Sequence, residues 1–140
     1  MESLRRVCGD RVPVKGLSTG RKAHLRLGRR GEALVCKLFR RRGYEILACN
    51  WRCRYGELDI VARDGGVLVF AEVKTLRKVW RDYRPASNLS PRQLARDLRA
   101  AAAYREMFAS NRFPWRFELV EVVRKNVFSV TLNRTVLRHS

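Results

Sequence analysis

GELDIVARDGGVLVFAEVK, running from Gly56 to Lys74, reads as a β-hairpin that carries acids. Leu58, Ile60 and Ala62 alternate with Glu57, Asp59 and Val61. Past the turn, Val67, Val69, Ala71 and Val73 alternate with Leu68, Phe70, Glu72 and Lys74, and this period of two is the strand signal. Asp64-Gly65-Gly66 is the turn. A two-residue Gly65-Gly66 loop sets Asp59 opposite Glu72 and Glu57 opposite Lys74, whereas an Asp64-Gly65 loop sets Glu57 opposite Glu72 with Asp59 one diagonal away. Both registers put Asp59, Glu72 and Lys74 on one face of the sheet.

Opposed carboxylates repel, and a half-buried sheet face desolvates them, so folding alone gives little reason to place them there. A divalent cation reverses that sign. Mg²⁺ is held by one or two carboxylates together with substrate phosphate oxygens, and Lys74 stands over the same spot. The competing reading is a surface charge pair on an edge strand. An acid-x-Lys triplet alone favours that second reading, and Asp59 across the hairpin brings the two level.

The 140 residues suffice for one domain with a real core. Lys and Arg number 31 against 13 Asp and Glu, a net charge of +18 that repels itself unless a polyanion is the working partner. Nucleic acid is the first candidate, DNA ahead of RNA. A membrane is not expected, because no long apolar run and no signal-peptide core are present. Cys8, Cys36, Cys49 and Cys53 lack the density of a disulfide framework and the paired spacing of a zinc finger. They read as free thiols in a reducing compartment, the cytoplasm.

Residues 1–20 mix Arg, Val, Gly and Pro without periodicity and read as a flexible basic arm, leaving 21–135 as the single domain. A helix is expected from Thr19 to Arg42, stopped by Gly43. Gly31, Leu34, Val35 and Leu38 form its buried stripe, with Arg29, Arg30, Lys37, Arg40 and Arg41 opposite. Glu32, on the flank, either leans toward Asp59 or pairs with a neighbouring Arg. Tyr44–Cys49 is a first strand turning at Asn50. Trp51, Arg52, Arg54 and Tyr55 then interleave bases and aromatics, a mixture suited to phosphate contact and stacking, with a packed Trp51 as the favoured alternative.

Beyond the hairpin, residues 76–88 carry Arg77, Lys78, Trp80, Arg81, Tyr83 and Arg84, a loop able to clamp a phosphate backbone or to serve only as a connection. A second helix is expected from Ser90 to Ser110, with Leu94, Leu98, Ala101, Ala102 and Phe108 as its apolar side. Phe113–Val123 and Val127–Leu132 complete the sheet as a strand pair.

The run from Gly28 to Thr75 resembles the YraN-like proteins, a bacterial group placed in the PD-(D/E)XK nuclease superfamily and similar in pattern to archaeal Holliday-junction resolvases. Gly-Arg-x-Gly-Glu at Gly28–Glu32, Gly-Glu-Leu-Asp at Gly56–Asp59 and Glu-Val-Lys at Glu72–Lys74 carry the resemblance, which extends more loosely to Val123. It implies a restriction-endonuclease-like αβββαβ core in the α/β class, a mixed sheet flanked by helices with an extra C-terminal strand. It also implies that Asp59, Glu72 and the Val73 carbonyl ligate Mg²⁺ or Mn²⁺, that Lys74 positions the attacking water, and that Glu32 completes the site. Many relatives carry Lys or Gln where Gln93 stands, but Ser90-Pro91-Arg92-Gln93 is also a capping box, the preferred explanation here. Glu118, in an Arg-Phe-Glu run, is expected to be structural.

The expected activity is metal-dependent phosphodiester hydrolysis, in branched or junction DNA first, with Arg29, Arg30, Arg52, Arg54, Arg77, Lys78 and Arg81 holding the backbone. Cutting paired strands would suit a homodimer. The alternative is a nucleic-acid-binding or assembly module that kept the fold without the chemistry.

Overall fold

The computed structural model describes residues 7–8, 19–76, 89–108, 112–124 and 130–140. Apart from residues 7–8, 19 and 20, the expected basic arm lies outside them, as does the basic loop with Arg77, Lys78 and Arg81. In chain order the elements are β1 (Val7–Cys8), α1 (Thr19–Arg41), β2 (Glu45–Cys53), β3 (Gly56–Asp64), β4 (Val67–Leu76), α2 (Pro91–Met107), β5 (Trp115–Arg124) and β6 (Val130–His139). The strands form one sheet in the order β1-β2-β3-β4-β5-β6. The β1–β2 and β4–β5 pairs are parallel and the others antiparallel, so this is a mixed sheet with the expected restriction-endonuclease-like core. α2 supplies the crossover between the parallel strands β4 and β5. No helix among the described residues is long and apolar enough to cross a membrane.

Local chemistry sets the element ends. α1 stops at Gly43, whose φ of +84° is open to glycine, and Arg40 and Arg41 complement the negative end of its dipole. α2 starts where Ser90 Oγ accepts the Gln93 N–H at 3.1 Å and Pro91 occupies the first turn. In the hairpin, Asp64 pairs with Val67, so Gly65-Gly66 is the loop, with Gly65 at φ +57°.

The helices cover opposite faces of the sheet. Val35, Cys36 and Phe39 of α1 pack on Ile46, Ile60, Ala62, Val69, Ala71, Val120 and Val122. Ala100, Ala101 and Tyr104 of α2 pack on Leu47, Ala48, Leu58, Val61, Leu68, Phe70 and Phe117. Both buried stripes are rotated from the sequence expectation. Leu34 and Leu38 are only half-buried, as are Leu94 and Leu98, and Ala102 is exposed. The helices lie on a twisted sheet, so residues flanking the most apolar stripe meet it as well.

β2 does not turn at Asn50. It runs on to Cys53, with Asn50 held at φ +51° within the strand. A bulge at Leu47 explains the weak alternation of its sequence, because Leu47 and Ala48 both join the α2-side core. β6 also continues past the expected Leu132, to His139.

Gly31 permits the close approach of α1 to β4: a Cβ there would lie 2.2 Å from Thr75 Oγ1 and 3.7 Å from Val122 Cγ2. Gly31→Val therefore places two branches where one methyl already collides. It should lower stability by about 1–3 kcal/mol, read as a shift in the urea midpoint at unchanged slope.

Candidate functional site

The ladder between β3 and β4 runs from Asp64–Val67 only as far as Ile60–Ala71. Past that point β3 continues beside β2 and β4 beside β5, so the sheet forks. The acids stand at the fork. Continued by one pair, the register sets Asp59 opposite Glu72, and the Val73 N–H, where the β3–β4 ladder has ended, donates to Asp59 Oδ2 at 2.9 Å.

Alternation from Phe70 places Glu72 and Lys74 on the α2 face of β4, and Asp59 lies close enough to both for their charges to act on it. Glu72 is 7% exposed, and its Oε1 accepts from Gln93 Nε2 at 3.0 Å and faces Lys74 Nζ at 3.3 Å. The Asp59 and Glu72 carboxyls lie within each other's reach, and two acids so close favour a proton on the pair. Burial, then the charges of Asp59 and Asp97, push the Glu72 pKa up to about 9. Burial raises Asp59 as well, against the opposing pull of the Val73 N–H.

Glu32 approaches from α1. It takes a hydrogen bond from Asn50, and burial followed by the Asp59 charge raises its pKa to about 7, with the Arg29 charge opposing. The positive φ of Asn50 marks the place where β2 presents that amide to the helix.

Two contributions come from α2. Gln93 was expected to act as a capping residue; its backbone N–H does so, but its side chain turns to Glu72 instead. Sequence reasoning missed Asp97. It is 5% exposed, its Oδ2 has no hydrogen-bond partner among the described residues, and burial followed by the Asp59 charge raises its pKa to about 6. A signal was present: Asp97, Ala100, Ala101 and Tyr104 stand at i, i+3, i+4 and i+7, and all four are buried. Glu121 on β5, wholly buried, is the register neighbour of Lys74.

The basic and aromatic residues divide. Arg29 and Arg30 are exposed on α1. Arg52 is exposed and pairs with Glu57 at 3.1 Å, while the Arg54 guanidinium donates to Tyr55 Oη and lies over that ring. Trp51 makes a T-shaped contact with Tyr104, ring centroids 5.2 Å apart, so the ring is packed on α2, the favoured alternative. Glu118 lies on the α1 side, held by Arg116 at 2.6 Å and Arg134 at 2.8 Å, a structural role.

Among the described residues, no three His, Cys, Asp or Glu side chains close on one metal-sized point. The fork offers two carboxylates at its apex, a lysine and a glutamine against one of them, and two further acids, Glu32 and Asp97, within electrostatic reach of Asp59.

Residues 31–122 match the uncharacterised protein family UPF0102. The chain is 46% identical over 99 residues to a UPF0102 protein of Acidothermus cellulolyticus, covering 71% of this chain and 72% of that protein. It is 42% identical over 106 residues to one of Roseiflexus castenholzii, covering 74% and 82%. To one of Chlorobaculum parvum it is 34% identical over 116 residues, covering 81% and 87%.

Proposed function

The chain belongs to the uncharacterised protein family UPF0102, and we propose that it is a metal-dependent endonuclease of the PD-(D/E)XK type, acting on DNA ahead of RNA. The observation that carries this reading is the desolvated Asp59–Glu72 pair with Lys74 against it, set where β3 and β4 part. Such a pair is costly to a fold that does not use it. The surface ion-pair alternative requires exposed groups, and Glu72 is buried.

The donor set fits a hard divalent cation. Asp59 and Glu72 are oxygen ligands, the Val73 carbonyl would be a third, and water and substrate phosphate would fill the rest. The raised proton affinity of the two acids marks the same demand for positive charge. Bound Mg²⁺ or Mn²⁺ would supply Lewis-acid polarisation of the scissile phosphate and a water of lowered pKa.

The chain's own groups do the rest. The Lys74 ammonium offsets charge growing on the phosphate oxygens and orients the attacking water. Gln93 holds Glu72 through Oε1. Glu32, raised to about 7, can exchange a proton at neutral pH. Arg29, Arg30, Arg52 and Arg54, with Arg77, Lys78 and Arg81 of the following loop, would engage the phosphate backbone.

The test is an assay on branched, duplex and single-stranded DNA and RNA with Mg²⁺, Mn²⁺ or chelator. The expected result is cutting of branched or duplex DNA that needs metal and disappears in Asp59→Asn. No cutting of any substrate, or equal cutting by Asp59→Asn, overturns the reading in favour of a binding module.

Binding should follow the charge. With +18 net and roughly 6–10 phosphates contacted, affinity should fall by about 10³–10⁵ between about 50 and 200 mM salt. Fluorescence anisotropy on unrelated duplexes checks this, and a flat salt profile removes nucleic acid as the main partner.

A further inference from the structure

Cys36 of α1 and Cys49 of β2 stand with their sulfurs 3.6 Å apart in a hydrogen-bonded thiol pair. Cys36 is buried among Val35 and Phe39, and Cys49 is half-buried at the edge of the same core. A disulfide needs a sulfur separation of about 2.05 Å, so closing this pair asks for a shift of about 1.5 Å. We propose that Cys36 and Cys49 are a redox-modification site, a dithiol that peroxide converts to a disulfide clamping α1 to β2. The proposal does not depend on the nuclease reading.

The asymmetry of the pair assigns the steps. Contact with the Cys36 sulfur lowers the Cys49 pKa to about 7, and the nearby Arg40 acts in the same direction against burial. Cys36 is raised by the same contact and by burial. Cys49, the more accessible, is therefore the thiolate that attacks. Its sulfur displaces hydroxide from hydrogen peroxide, forming a sulfenic acid, and the hydroxide leaves as water after taking up a proton. The Cys36 sulfur then displaces the second oxygen, also released as water, and the S–S bond forms. Two thiols are oxidised and one peroxide is reduced to two waters, and a thiol reductant reverses the change.

The position gives the bond a consequence. Cys36 lies one helical turn beyond Glu32, and Cys49 immediately precedes Asn50, whose amide holds Glu32. A Cys36–Cys49 bond thus covalently fixes the helix-to-strand contact beside that carboxyl. One competitor is built into the sheet: the β1–β2 register sets Cys8 opposite Cys49.

The test treats the full chain with hydrogen peroxide, alkylates remaining thiols under denaturing conditions, and maps the peptides. The expected result is a Cys36–Cys49 linked peptide, cleaved by dithiothreitol, that forms equally in a Cys8→Ser/Cys53→Ser variant. In Cys36→Ser, Cys49 should instead be trapped as a sulfenic acid by dimedone. Cys36 and Cys49 both alkylated as thiols, Cys49 overoxidised with Cys36 free, or a Cys8–Cys49 link in the wild-type chain would each overturn the proposal.

Discussion

Asp59→Asn and Glu72→Gln are each expected to reduce the proposed metal-dependent cleavage by about 10³-fold or more, while nucleic-acid affinity should stay unchanged or tighten. Both substitutions keep the side chain's size and its capacity for hydrogen bonding, so the fork can retain its shape. What they remove is charge. For the proposed catalysis that loss would take away a metal ligand, and the polarisation of the phosphate with it. For binding it leaves at most one acid at the apex able to face a polyanion, so repulsion cannot increase. Single-turnover cleavage and anisotropy on the same substrate separate the two effects. A parallel loss of both would mean that the acids hold the fold or a binding surface together. Retained cleavage would move the chemistry elsewhere. Lys74→Met extends the comparison, because it keeps the aliphatic stem and both carboxylates but removes the ammonium beside Glu72. It should lose cleavage while retaining the metal-induced rise in melting temperature.

The acidic fork was legible because its information is local. Period-two alternation on both sides of Gly65-Gly66 places Asp59, Glu72 and Lys74 on one face in either register, and the structure selects the register that opposes the two acids. The α2 contributions are not local. Whether Gln93 folds back on its own helix or reaches Glu72 depends on how α2 lies across the sheet, and a capping box is satisfied either way at its Ser90 end. Asp97 was hidden by a different rule. An acid between Arg96 and Leu98 reads as part of a solvated face, and only the burial of Ala100, Ala101 and Tyr104 beside it reveals which face is covered. The bulge at Leu47 had the same effect on β2: one extra residue breaks the alternation by which a strand is recognised, and the run continues through a left-handed Asn50 that looks like a stop. Trp51 and its basic neighbours show the limit of composition, since an aromatic beside arginines can stack on a base or on Tyr104, and only the fold decides.

The metal-free protein should be stabilised, or at least not harmed, by neutralising the fork, and the gain should grow with pH. Glu72 is raised from 4.5 to about 9, Glu32 from 4.5 to about 7 and Asp97 from 3.8 to about 6, with Asp59 raised as well. A folded-state pKa above the unfolded value means that the native state binds more protons through that window, so stability falls as pH rises. Well below their unfolded values of 3.8 and 4.5 these groups are protonated in both states and cost nothing. From there the unfolded chain ionises first, and the penalty on the fold accumulates until about pH 9, the value for Glu72. Exposed carboxylates and the +18 net charge give the whole protein a pH dependence of its own, so the informative quantity is the difference between variants. The melting temperature of Glu72→Gln minus that of wild type should be near zero at about pH 4 and should become more positive toward about pH 9. Mg²⁺ or Mn²⁺ should invert the comparison. A metal ion held by these acids would compete with protons for them, so its stabilisation of wild type should increase with pH and be lost in Glu72→Gln and in Asp59→Asn. A short uncleavable duplex, completing the coordination shell with phosphate oxygens, should enlarge the wild-type shift alone. Thermal melts of the three proteins across this pH range, with and without metal and duplex, measure all of this. Equal metal-dependent shifts in all three would show that the two acids are not ligands, and a variant difference that shrinks as pH rises would show that they are not a desolvated liability in the native fold.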